Sequence, residues 1–310
     1  MKPEGNPINI VKGHGSGLWL RNPVMIASGT FGQDGYGKGL PPNLDLHKIG
    51  AVVVKTTTLA PRIGNPPPRF VHGEGWTLNS IGLENPGIKT VLEIHAPIWT
   101  KWQLPVILSI AGEQVAEYGE LARAIDGIPG IKALEINISC PNVEGGLEFA
   151  QNPLEAAKVV TVILQNTTLP IIVKLSPNVT NIEEIALSIE SAGAHALTIS
   201  NTLRGMDVDP YQFRSKLGTA TGGISGPALK PIALNMVYRV AKVVKIPIIG
   251  VGGISNVKDA LSYFMVGAQA IQIGVANYID PSIPLKIMDG LTRYKTLEKL
   301  TTLDEIIGQI

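Results

Sequence analysis

Cys140 is the only cysteine among the 310 residues, and it lies in the run Asn137-Ile-Ser-Cys-Pro-Asn142, directly after the apolar stretch 133–136. A lone thiol has no disulfide partner within its own chain, so its chemistry is that of the thiolate. Free cysteine most often ends as a small buried hydrophobe. Here two side-chain amides and a proline crowd around it at the end of an apolar run, and a core position would have to pair each of those polar groups. The surroundings describe a binding loop, which makes Cys140 a candidate catalytic base. Other polar residues interrupt apolar runs in the same way: Ser28, Lys55, Asn137, Lys174 and Asn201, with glycines following at Gly252-Gly253 and Gly274. One lysine ending a strand can simply reach out to solvent. Two, on different runs and both beside amide-bearing loops, point to a bound anion or a cofactor with electron-rich oxygens.

The elements that must position these groups are short, β-branched apolar runs at 23–28, 51–55, 106–110, 133–138, 171–175, 196–200, 246–251 and 270–273. Runs such as Ile171-Ile-Val-Lys174 are nearly continuous in apolar character, as parallel strands covered on both faces should be. The stretches between most of them are amphipathic with helical spacing: 153–164 places Leu154, Ala157, Val160 and Leu164 on one face, and 182–192 repeats the pattern. Eight strand-helix units predict an α/β fold, a (β/α)8 TIM barrel in one domain spanning 1–310, with a doubly wound open sheet as the structural alternative. Polar residues at the C-terminal ends of the strands would then converge on one mouth. Two connections, 56–104 and 202–228, far exceed the usual βα loop of about 2–6 residues and would emerge at that same face as active-site loops or lids.

Composition narrows the function classes. With 45% hydrophobic residues the chain can bury one large core, and 26 basic against 25 acidic residues leave no electrostatic footprint for nucleic acid or an anionic membrane. One cysteine excludes an iron–sulfur cluster or a Cys-rich zinc site held by this chain alone. The five histidines show no metal-ligand spacing, so no metal site is expected. No apolar leader and no stretch of membrane-spanning length is visible, and cytoplasmic residence is the default expectation. Trp99 and Trp102 are expected to bury apolar area, or else to face a partner subunit.

The last two units carry a phosphate-binding arrangement. Gly250-Val-Gly-Gly-Ile-Ser-Asn256 after the seventh run lets backbone N–H groups approach an anion, with Ser255 or Asn256 as the cap of the next helix, and Gly274-Val275-Ala276 does the same after the eighth. Barrels commonly bind phosphate at this place. The run Gly222-Gly-Ile-Ser-Gly226 adds to the signal. None of these fits G-x-G-x-x-G in a βαβ unit, so FMN suits better than a dinucleotide.

These residues resemble a known family over nearly the whole chain, the dihydroorotate dehydrogenases. The motifs in order are Ala27-Ser-Gly29, Val54-Lys-Thr56, Gly64-Asn-Pro66 with Pro68-Arg69, Asn79-Ser-Ile-Gly-Leu83, Asn137-Ile-Ser-Cys-Pro-Asn142, Val173-Lys-Leu-Ser-Pro177, Asn201-Thr202 and Gly222-Gly-Ile-Ser-Gly226. Cysteine rather than serine at the base position is similar to class 1, and the flanking residues are most similar to class 1B. The resemblance implies oxidation of dihydroorotate to orotate in pyrimidine biosynthesis, with Cys140 taking the C5 proton and FMN accepting hydride from C6. It implies substrate contacts from Lys55, Asn79, Ser80, Ile81, Gly82, Leu83, Asn137, Asn142, Asn201 and Thr202. Flavin contacts are implied from Ala27, Ser28, Gly29, Lys55, Thr56, Ser109, Asn137, Lys174, Ser200, Gly226, Gly252, Gly253, Gly274 and Val275. It also implies a homodimer of this chain within a heterotetramer, whose partner subunits carry FAD and a [2Fe-2S] cluster and pass electrons to NAD+.

Three positions depart from the class 1B pattern: Ser109 in place of asparagine, Ser200 in place of isoleucine and Val275 in place of threonine. A backbone donor at Val275 survives its change, whereas a side-chain hydroxyl contact does not. Other readings are a fumarate-dependent class 1A-like enzyme or another pyrimidine-reducing FMN barrel. Outside the flavoproteins stand an isomerase or aldolase barrel with Lys174 as a Schiff-base lysine, and a barrel that only docks a partner through its long loops.

Overall fold

A computed structural model describes residues 7–15, 17–42, 44–139 and 149–310. Cys140 and Asn142 fall outside the described residues. Eight parallel strands close into a barrel whose spatial order follows the sequence: β1 (Val24–Ile26), β2 (Ala51–Thr57), β3 (Val106–Ile110), β4 (Ile131–Asn137), β5 (Ile171–Lys174), β6 (Ala196–Ile199), β7 (Ile248–Val251) and β8 (Ala270–Ile273). Closure, which strand count alone could not establish, rests on β8 pairing with β1, Gln272 opposite Met25. The open-sheet alternative is thereby overturned. β7 begins two residues later than its apolar run, at Ile248, because Pro247 has no N–H to give a ladder; its carbonyl instead accepts from Leu197 N at 2.9 Å.

Strand parity explains why the runs look continuous. One set of positions, including Val52, Val54, Leu108, Leu134, Ile136, Val173 and Leu197, packs outward against the helices. The other set points into the barrel, where Met25, Val53, Ile107, Ala133, Ile172, Ala196, Ile249 and Ala270 form a separate apolar layer. Continuing the same parity two residues toward the mouth reaches Lys55, Ser109, Glu135, Lys174, Thr198 and Gln272. The interior therefore turns from apolar to polar in one step along every one of these strands.

The outer helices start where their caps dictate. Asn152 accepts from Leu154 N (2.9 Å) and Glu155 N (3.2 Å), with Pro153 opening the helix Pro153–Leu164. Asn181 caps Ile182–Ser191 and Asn256 caps Val257–Met265. The β1–β2 connection departs from the repeat: its described residues hold only a 3₁₀ turn, Leu46–Lys48.

Two additions were not visible in the periodicity. An N-terminal hairpin, Ile8–Asn9 with Trp19–Leu20, lays Ile10, Val11, Leu18 and Leu20 against the inner apolar layer and plugs the bottom of the barrel. At the mouth, the two long connections interlock. Phe70–Gly73 and Trp76–Asn79 from the first, with Leu203–Gly205 and Gly222–Ser225 from the second, form one antiparallel sheet. Gly222 and Gly223, read from sequence as part of a phosphate loop, are thus strand residues. Trp99 is buried and Trp102 half-buried, in a ring stack with Phe31, Tyr36 and His95. Among the described residues no helix is long and apolar enough to cross a membrane.

Candidate active site

The polar upper layer of the barrel, the β1 and β8 loops and the antiparallel sheet enclose one cleft of about 1010 Å³. Of the described residues singled out above as substrate or cofactor contacts, all but one line it, from Ala27, Ser28 and Gly29 through Lys55 and Thr56 to Gly274 and Val275. The exception is Ser109. It is 1% exposed and sits behind Thr56, whose hydroxyl it meets at 2.9 Å. Ser28 donates to Val54 O (3.0 Å) and lies 3.3 Å from Thr56 Oγ1. With Ser28's proton committed, Thr56 donates to Ser28 and accepts from Ser109. Ser109 therefore supports a cleft residue rather than forming the wall.

The wall around Lys55 is built by close backbone approach. Gly29 and Gly35 pack on the Lys55 stem, and a Cβ at Gly35 would fall 2.8 Å from Lys55 Cβ. Burial holds the Lys55 ammonium below the usual lysine range, with Glu84 opposing the shift. Lys174, at the end of β5, is 9% exposed and faces Glu135 Oε1 at 3.8 Å.

The amide side is assembled from three elements. Asn201 Nδ2 donates to Asn137 Oδ1 (3.2 Å) and to Ser139 Oγ (3.1 Å), tying the end of β4 to the start of the second long loop. Asn79 Nδ2 donates to Gly223 O at 3.2 Å. A Cβ on Gly223 would lie 2.1 Å from Thr202 Oγ1, so only glycine lets this strand approach Thr202. Ser80 Oγ accepts from Asn65 Nδ2 (3.1 Å) and meets Thr219 at 2.6 Å, joining the two loops at the rim. Asn178, absent from the sequence-stated contacts, clamps the region by donating to Thr202 O (3.3 Å) and accepting from Arg204 N (2.9 Å).

A glycine cradle forms another part of the wall. Gly226, Gly252, Gly253 and Gly274 line the cleft, and Gly252 and Gly253 have φ of 133° and 66°. A Cβ on Gly253 would stand 2.8 Å from Gly226 O, so the two loops touch through bare backbone. Beneath them Asp259 accepts from Ser255 N (3.0 Å) and Ser255 Oγ (2.9 Å) and pairs with Lys230 at 2.5 Å. Asn256, not Ser255, is the helix cap. Among the described residues no three His, Cys, Asp or Glu gather as metal ligands.

Cradle, lysines and amides all line one cleft, the set of groups that a ligand with a phosphate and a polar planar ring requires. Glu135 Oε1 and Gln272 Oε1 are buried polar atoms without a hydrogen-bond partner among the described residues. Glu135, Thr198 and Gln272 form a polar layer that the sequence reading passed over. Its signal was present: Glu135 shares strand parity with Asn137.

Residues 12–294 match the family model of dihydroorotate dehydrogenase. The chain belongs to the dihydroorotate dehydrogenase family. Among curated relatives, it is 47% identical over 296 residues to the protein of Geotalea uraniireducens named dihydroorotate dehydrogenase B (NAD(+)), catalytic subunit, covering 95% of this chain and 96% of the relative. It is 49% identical over 292 residues to the protein of the same name in Desulforamulus reducens, covering 94% and 95%. With that of Desulforudis audaxviator, again of the same name, it shares 46% identity over 294 residues, covering 94% and 95%.

Proposed function

We propose that this chain is the FMN-binding catalytic subunit of a class 1B dihydroorotate dehydrogenase, oxidising dihydroorotate to orotate for pyrimidine synthesis with NAD+ as final acceptor. The observation that carries the reading is that a single cleft brings together the backbone of Gly226, Gly252, Gly253 and Gly274, the side chains of Lys55 and Lys174, and the amides of Asn79, Asn137 and Asn201. Gly226, Gly252, Gly253, Gly274 and Val275 would hold the phosphate of FMN through backbone N–H groups. Ala27, Ser28, Gly29, Thr56, Asn137 and Ser200 would wall the ring system, with Lys174 at its N1–C2 edge, and Ser109 acting through Thr56. When bound, FMN supplies the hydride acceptor.

The protein groups do the rest. Asn79, Asn137, Asn142, Asn201 and Thr202 pair the donors and acceptors of a planar pyrimidine, since asparagine offers both in one side chain. An analogue lacking those groups would leave the asparagines unpaired, which is a strong source of discrimination. Ser80, Ile81, Gly82 and Leu83 close over the substrate from the rim. Cys140 as thiolate takes the C5 proton, and a positive charge beside a thiol favours the thiolate. Electrons leave through a partner subunit carrying FAD and a [2Fe-2S] cluster, bound to a homodimer of this chain, and the complex is cytoplasmic.

The test is an anaerobic absorbance spectrum of the chain reconstituted with FMN, before and after dihydroorotate. Bleaching of the flavin band is expected. A yellow protein that stays yellow would keep the FMN barrel and overturn the substrate.

A further inference from the structure

Three side chains from alternate strands meet inside the barrel at the floor of the cleft, which Glu135 lines: Glu135 of β4, Thr198 of β6 and Gln272 of β8, each 0% exposed. Glu135 Oε2 accepts from Gln272 Nε2 at 2.7 Å and from Thr198 Oγ1 at 3.0 Å. Both donors sit on rigid strands, so this half of the carboxylate is fixed. The other oxygen, Oε1, has no hydrogen-bond partner among the described residues and lies 3.8 Å from Lys174 Nζ.

We infer that Glu135 is a positioning residue for Lys174, a fixed counter-charge that sets how much positive charge the lysine presents to the flavin. This rests on the reading above that places FMN in the cleft with Lys174 at its ring edge. The separation of 3.8 Å exceeds a hydrogen bond, so the ammonium is attracted without committing its N–H donors to the carboxylate. A buried ion pair is weak evidence for stability, because apolar residues of similar volume often serve as well. Directly below lies a layer of Ile172, Ile249 and Ala133, where a carboxylate has no packing advantage. What the pair provides is a cation whose field toward the cleft is partly cancelled by a charge that cannot move. Reduction of a flavin places negative charge at its N1–C2 edge, so an uncancelled Lys174 would favour the reduced form more strongly.

Midpoint potentials of bound FMN would be measured anaerobically for the wild-type chain, Glu135→Gln, Lys174→Met and the double variant. Lys174→Met should lower the potential. Glu135→Gln should raise it, the ratio of oxidised to reduced FMN dissociation constants increasing about tenfold, or about 30 mV for a two-electron couple. In the Lys174→Met background the same change should move the ratio less than about threefold, because the carboxylate acts on the flavin through the lysine it faces. If Glu135→Gln does not hold FMN, Glu135→Asp keeps the charge but withdraws it, and should give a smaller rise of the same sign. A potential unchanged or lowered in the Glu135 variant, or an equal shift in both backgrounds, overturns the inference. A Lys174→Met potential equal to wild type overturns the placement of Lys174 itself and this inference with it. A merely structural Glu135 would change stability and leave the potential in place.

Discussion

Two residues of the proposed chemistry are separable by substitution. Replacing Cys140 by serine exchanges a thiol for a far weaker acid, so flavin reduction by dihydroorotate near neutral pH should slow by about 10²–10⁴-fold while FMN stays bound. Stopped-flow traces matching wild type would remove Cys140 from the role. Ser109→Ala leaves the Thr56 hydroxyl without its donor and should cost about 1 kcal/mol in chemical denaturation. Its FMN dissociation constant should stay within about threefold, and a tenfold loss would mean that Ser109 reaches the cofactor after all. The cleft-lining residues were legible in the sequence because polar residues ending apolar strands have few other reasons to be there. Ser109 shares the inward parity of Lys55 and Glu135, and its hydroxyl meets Thr56 at 2.9 Å instead of lining the cleft, a contact that sequence parity alone does not reveal. Glu135 escaped notice because one carboxylate inside an apolar run reads as part of the run unless parity is counted.

At the level of elements, the barrel strands announced themselves and the mouth did not. The runs at 106–110 and 270–273 match β3 and β8, since buried parallel strands carry a local signal. The four-stranded sheet over the mouth carries none. It pairs Asn79 with Gly223, about 140 residues apart in sequence, through strands of three or four residues containing several glycines. Long-range pairing of short strands leaves no periodicity to read, so Gly222 and Gly223 read with the anion-binding loops, whereas in the sheet Gly223 packs against Thr202 and Gly222 against Asn79 O. Gly223→Ala tests that explanation. The added methyl must push the strand from Thr202, and steady-state kinetics should show KM for dihydroorotate rising about tenfold or more with FMN content unchanged. Loss of FMN with normal KM would return Gly223 to the cofactor.

The whole molecule is organised as an apolar base below a polar mouth, and the base is completed by the N-terminal hairpin. Leu20, fully buried against the barrel's inner layer, should cost about 2–5 kcal/mol when cut to alanine, read as a lower denaturation midpoint with an unshifted flavin potential. The hairpin's junction with the barrel is also pH-sensitive. Lys12 N donates to His195 O at 3.0 Å, and His195 Nδ1 accepts from Ile171 N at 2.9 Å, which requires the neutral ring. Burial, and then the neighbouring His14, hold the His195 pKa below the ordinary histidine value. The unfolded chain takes a proton near pH 6.5 that the folded chain refuses, so stability should fall as pH drops through about 6.5 and level off once the folded ring titrates. Urea midpoints across that range should fall less in His195→Gln. The sealed base has a binding corollary as well. With the base closed, the described residues leave the mouth as the way to the cleft, so orotate and dihydroorotate draw on the same seat. Orotate should therefore raise the apparent dissociation constant of dihydroorotate for the oxidised chain in proportion to its concentration, and a dissociation constant indifferent to orotate would mean that the two do not share the seat.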